Sequence, residues 1–226
     1  MNLYTYLSFT VSPILIVIGL LIYHYGFKIK KISNIINAIL LGMISTVLVV
    51  AANYLIDTQW HGNYSGLRRL LFYVVIVIAF SVELGKYLVL RFGFYNKTDF
   101  LGPIEGIIYT IFIGLGYSMV AVVLFAFGII GKSLEEYQLV FLFTYPFVNI
   151  VFAVCMGFFI GMGKIRKNIL IDDATGLIVT IFFHGLYFFS FVSKDNVLIA
   201  FTFVGFLFIS ITLFVRAVNL RRAQED

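Results

Sequence analysis

Seven apolar runs, each close to the length of a bilayer crossing, follow one another along this chain. They cover residues 5–26, 34–56, 69–91, 104–128, 138–163, 174–193 and 196–217. About 20 apolar residues, rising 1.5 Å each, span the hydrocarbon core of a membrane. In hydrocarbon a backbone must bond to itself, so runs of this length predict helices. The expected fold is all-α: a polytopic membrane helical bundle of about seven transmembrane helices, forming a single integral membrane domain over residues 1–226. Composition agrees, because only 12% of residues are charged, whereas a soluble domain carries about 25%. The last two runs are parted only by the polar turn Ser193–Lys194–Asp195–Asn196. No internal repeat, low-complexity stretch or soluble domain interrupts the pattern.

The formal charge of +5 does not read as a nucleic-acid footprint. The basic residues form no dense patch and gather at helix ends, where they act as orientation signals. Lys28, Lys30, Lys31, Arg91, Lys97, Lys164, Arg166, Lys167, Arg216, Arg221 and Arg222 fall on one side of the predicted topology. Arg68, Arg69, Lys132 and Lys194 fall on the other. The positive-inside rule then places the N-terminus outside and the C-terminus in the cytoplasm, in a bacterial inner membrane. The expected partners are the lipid bilayer and a membrane protein or peptide, with no nucleic acid. The first run has no preceding basic residues and no small-residue cleavage motif, and is expected to be a retained helix. The lone cysteine, Cys155, can make no intrachain disulfide and reads as a packing residue.

Glu83 and Lys86 lie inside the third apolar run. Ionisable residues in hydrocarbon are costly and mark functional sites by default. Their i, i+3 spacing puts both on one helix face. A buried carboxylate beside a cation can activate water, which peptide hydrolysis inside a membrane requires. The same pair can equally be a structural ion pair or a transporter's coupling site. His184 stands alone in the apolar stretch IVTIFFHGLYFFSFV. It can ligate a metal, carry protons, or simply pack with a hydrogen bond. His24 and His61 sit near opposite membrane ends. There is no His-Glu-x-x-His motif and no cysteine cluster, so the sequence displays no complete zinc site. Nor does it display a Ser/His/Asp arrangement or a phosphate-binding loop.

At 1.5 Å per residue, Glu83 lies roughly 12 Å, His184 roughly 15 Å and Asn149 roughly 21 Å from the basic side. That spread permits one shared layer of polar groups. Glu105 opens the fourth run, where a carboxylate complements a helix N-terminus. Pro146 is expected to kink the fifth run, leaving Asn149 to bond a neighbour or ligand. Gly157 and Gly161 form a small-xxx-small pair suited to close helix contact.

The order of these segments resembles the PrsW family of intramembrane proteases, relatives of the CAAX-processing and bacteriocin-processing membrane proteases. AILLGMISTVLVV (38–50) resembles the family's second helix. VELGK (82–86) stands where the family has Glu-Glu-x-x-Lys. IEGIIYTIFIGLGY (104–117) is similar to the family's Asp-Gly-Ile-x-Tyr-Gly and Gly-x-Gly-Phe stretch, and HGLYFF (184–189) to its late histidine motif. The resemblance implies a helical bundle that hydrolyses peptide bonds of membrane-associated proteins by a glutamate-based or metal-dependent mechanism. It implies catalytic roles for Glu83, Lys86 and His184, with Glu105, Asn149 and Tyr117 in support. It leaves the metal unassigned: a divalent ion such as zinc belongs to the active form if metal-dependent, with His184 the one strong ligand. The chain departs from the pattern at Val82, Ala121, Asn149 and Phe188. These departures set a second expectation beside the protease, a non-catalytic pseudoprotease or membrane-protein binding factor. A small transporter ranks last for want of a repeat.

Overall fold

The structure, a computed structural model, describes residues 3–26, 32–60, 66–131 and 138–225. Lys28, Lys30, Lys31, His61 and Lys132 of the orientation and histidine readings lie outside the described residues. The chain folds as helices, with no strand among the described residues. Seven helices are long and apolar enough to cross a membrane, in the order the apolar runs predict. This is a multi-pass membrane protein.

The first span is α1 (Leu3–Gly26). The second is broken into α2 (Ile32–Ile44) and α3 (Thr46–Trp60). The break falls at Ser45, whose hydroxyl donates to the Gly42 carbonyl at 2.6 Å, while Thr46 donates to Met43. Hydroxyls that bond back along the chain compete with the helical ladder and bend it. The third span is composite too: α4 (Leu67–Phe72), a π-helical segment (Tyr73–Phe80) and α5 (Ser81–Gly93). Then come α6 (Pro103–Ala126), α7 (Gln138–Arg166), α8 (Ile169–Val192) and α9 (Asn196–Glu225). The tight α8–α9 turn is real: Lys194 adopts φ 57°, and Asp195 Oδ1 accepts from the Val197 and Leu198 amides, capping α9. α8 begins five residues earlier than residue 174, the start read from hydropathy, because Asp172 and Asp173 in its first turns find partners on neighbouring helices.

α6 is the centre of the bundle, and glycine allows it. A Cβ on Gly106 would run into the Gly157 carbonyl of α7, and one on Gly157 into the Gly106 carbonyl. Gly161 lies as close to Gly102 and Pro103. On the other side, Gly116 meets the Ile39 carbonyl and Gly42 meets the Ile113 carbonyl, bringing α2 against α6. Without a hydrophobic drive between helices in lipid, such close backbone packing is a main source of association. Gly106→Ala is expected to destabilise the bundle by about 1–3 kcal/mol through overpacking, measured by unfolding in detergent micelles. α1 and α9 lie at the edge, with Leu3, Ile22, Val197 and Phe208 exposed.

A polar network ties α2 and α6 to the loop after α5. Asn34 Nδ2 and the Tyr109 hydroxyl both donate to Asp99 Oδ2, at 2.8 and 2.7 Å, and Lys97 donates to Asn34 Oδ1. Partial burial disfavours the Asp99 charge, but these donors outweigh it and hold the carboxyl below its ordinary value. A depressed pKa stabilises the fold at pH above the ordinary carboxylate value and is lost as pH falls through the folded value. The stability gap between wild type and Asp99→Asn should therefore shrink as pH is lowered from about 6 to about 3. Thermal unfolding at the two pH values measures it.

Candidate active site

Four helices contribute to one buried polar cluster. α5 brings Glu83 and Lys86, α6 brings Tyr117, α7 brings Tyr145 and Asn149, and α8 brings His184. Glu83 is 1% exposed, and Lys86, Asn149 and His184 are fully buried. Glu83 Oε1 is held from two sides. Lys86 Nζ lies 2.6 Å away and His184 Nδ1 lies 2.7 Å away. An ionised carboxylate only accepts, so His184 donates through Nδ1–H. Lys86 also donates to Asn149 Oδ1 at 2.9 Å. Asn149 Nδ2 donates in turn to the Tyr145 carbonyl at 3.0 Å. The Tyr145 hydroxyl closes the ring, 3.3 Å from His184 Nε2 and 3.5 Å from the Tyr117 hydroxyl. Glu83 Oε2 is buried and has no hydrogen-bond partner.

The surroundings fit the charges. The Lys86 ammonium lies 5.7 Å from the Tyr117 ring centre and 5.8 Å from that of Phe152, near enough for cation–π attraction. Phe152 stacks on the His184 imidazole, with centroids 5.0 Å apart at 23°. A lone buried charge is prohibitively costly, so the pairing and the neutral acceptor on Lys86 are what make this cluster tolerable.

The cluster unites Glu83, Lys86, Asn149, His184 and Tyr117. It does not include Glu105. That residue lies in the first turn of α6, where its carboxylate takes Arg221 Nη1 at 2.7 Å and so ties α6 to the end of α9. It is twelve residues from Tyr117 on the same helix, roughly 18 Å along the axis. Tyr145 and Phe152 also contact this cluster, and the sequence reading did not include them. The available signal was their spacing: residues 145, 149 and 152 follow i, i+4, i+7 and share one face of α7. Val82 and Ala121 are buried in the adjoining apolar core.

The family of intramembrane metalloproteases named PrsW matches this chain over residues 30–215. The chain belongs to the PrsW family. No curated protein and no solved structure matches it. The match covers every helix of the polar cluster, from α5 to α8.

The PrsW description implies a metal, and the donor set can be tested against one. A catalytic zinc takes three protein ligands and keeps a fourth position open. Among the described residues no group of three or more His, Cys, Asp or Glu side chains comes together. Both ring nitrogens of His184 have partners already, Glu83 on one side and Tyr145 on the other. The cation beside Glu83 is the Lys86 ammonium, and the third polar position is an amide, Asn149. These residues do not fit a three-ligand zinc centre.

Proposed function

We propose that this PrsW-family chain is an intramembrane endopeptidase that hydrolyses peptide bonds of membrane-associated proteins, with Glu83 as general base. The observation that carries this reading is the asymmetry of the Glu83 carboxylate. Lys86 and His184 hold Oε1, while Oε2 is left without a partner. A fixed carboxylate with one free oxygen is positioned to take a proton from water.

The chemistry follows from the donors. The water oxygen attacks the scissile carbonyl carbon as its proton passes to Glu83 Oε2, and the carbonyl oxygen becomes an oxyanion. An ammonium has three N–H donors, and Lys86 commits two, to Glu83 and Asn149. The third is left to stabilise the oxyanion. The C–N bond then breaks, and Glu83 returns the proton to the leaving nitrogen. His184 orients Glu83 and, through Nε2 and Tyr145, offers a path for protons. The protein is read as a bacterial inner-membrane protein with its N-terminus outside and its C-terminus cytoplasmic, on the strength of the Lys and Arg distribution.

A second reading is a non-catalytic relative that holds membrane proteins without cutting them. Val82, Ala121 and Asn149 favour it, because each replaces a polar or metal-binding side chain of the family pattern. One experiment separates the two: cleavage of a fluorogenic single-span peptide by the purified chain in lipid vesicles, comparing wild type with Glu83→Gln. Equal turnover overturns the role of Glu83. Binding of the peptide without any cleavage by wild type leaves the second reading.

A further inference from the structure

We infer that the Tyr117 hydroxyl is a second donor to the oxyanion, beside Lys86, an inference that rests on the protease reading. It follows from the proton count of the buried cluster. Tyr145 has one hydroxyl proton and two neighbours that can take it, His184 Nε2 at 3.3 Å and the Tyr117 oxygen at 3.5 Å. His184 gives Nδ1–H to Glu83, so a neutral ring leaves Nε2 as an acceptor for Tyr145. A doubly protonated ring instead donates Nε2–H to Tyr145, which then turns its own proton towards Tyr117. In both states Tyr117 is at most an acceptor, because Tyr145 is the donor in their contact. The Tyr117 O–H therefore has no acceptor among the described residues.

A fully buried hydroxyl that spends no proton is costly and calls for a reason. The position of Tyr117 supplies one. Its ring centre lies 5.7 Å from Lys86 Nζ, and the Glu83 charge reaches its hydroxyl. Two donors that each approach one oxygen to about 3 Å stand up to about 6 Å apart, which is the scale of this separation. The cluster thus holds an unspent acceptor, Glu83 Oε2, with unspent donors on Lys86 and Tyr117. Hydrolysis calls for that combination: an acceptor for the water proton, and donors for the charge that forms on the carbonyl oxygen. The oxyanion draws on the Tyr117 bond more strongly than the neutral carbonyl does, so the contact favours the transition state. Tyr117 keeps its proton throughout.

The test uses the full chain in vesicles of phosphatidylcholine and phosphatidylglycerol, with two single-span peptides. One carries a fluorogenic scissile amide. The other carries a phosphinate in its place, tetrahedral and anionic like the attacked carbonyl. Turnover of the amide peptide is compared with and without Tyr117→Phe. Binding of both peptides is compared in the Glu83→Gln background, which keeps the amide whole and removes the charge facing the phosphinate. Tyr117→Phe keeps the ring and gives the Gly-x-Gly-Phe of the family pattern, and unfolding in micelles checks that the bundle is intact. The variant should lower kcat about 100-fold and leave KM within about twofold. It should weaken phosphinate binding about tenfold, the worth of one hydrogen bond to a charged group, and leave amide binding unchanged. Tyr187→Phe removes a hydroxyl as deeply buried but bonded to Thr144, at 2.6 Å. It should move neither kcat nor the phosphinate preference. An unchanged kcat in Tyr117→Phe overturns the inference. So does equal weakening of both peptides, which is what a structural role gives. Wild-type turnover no greater than that of Glu83→Gln overturns the protease reading instead, and the phosphinate comparison still reads the Tyr117 contact by itself.

Discussion

Glu83→Gln should reduce peptide hydrolysis by about 10²–10⁴, the usual worth of a positioned general base, while the protein stays folded. Glutamine keeps an acceptor oxygen where Oε1 receives Lys86 and His184. It replaces the unpartnered Oε2 with an amide nitrogen that cannot take a proton. The change is therefore nearly isosteric at the two bonds that build the site and decisive at the one atom assigned to chemistry. Turnover of a fluorogenic single-span peptide in vesicles measures it. A chelator should leave wild-type turnover unchanged, since Glu83, His184 and Asn149 do not assemble the three ligands a catalytic zinc takes. Loss of activity on chelation, restored by zinc, would refute that assignment.

Lys86→Met should be the most destabilising single change in the bundle, at about 3–5 kcal/mol. It leaves Glu83, 1% exposed, without its cation and Asn149 Oδ1 without its donor. Adding Glu83→Gln should recover much of the loss, because replacing both members of a buried pair costs far less than breaking it. A double-mutant cycle by reversible unfolding in micelles reads the coupling directly. If Lys86→Met costs the same with and without Glu83→Gln, the two side chains are not coupled. Reduced hydrolysis by the single variant cannot make the same distinction, since Lys86 also carries the proposed oxyanion contact.

Glu83, Lys86 and His184 were legible as a candidate set because each breaks an apolar run, and an ionisable group in hydrocarbon needs a reason to be there. Asn149 and Tyr117 were legible through the family pattern. Tyr145 and Phe152 were not, because Tyr and Phe abound in this chain and an aromatic in a membrane helix carries no cost that flags it. Glu105 was grouped with the site, and its partner proved to be Arg221, a residue 116 positions away that local reasoning does not reach. The π-helical stretch before Glu83 was equally hidden. YVVIVIAF reads as an ordinary apolar helix, and nothing local announces the shift from i→i+4 to i→i+5 bonding.

What the sequence determined by itself was the set of spans and the identity of the costly residues. Both follow from transfer energies, which depend on residue type and run length alone. What only the tertiary structure decided was how those residues meet. Glycine contacts bring α2 and α7 against α6, and α5 follows directly on the π segment with Glu83 and Lys86 on its buried side. The result is a carboxylate with one oxygen held by Lys86 and His184 and the other left bare. That difference between two oxygens of one side chain depends on distances of a few ångströms between four helices, and spacing along one chain does not encode it.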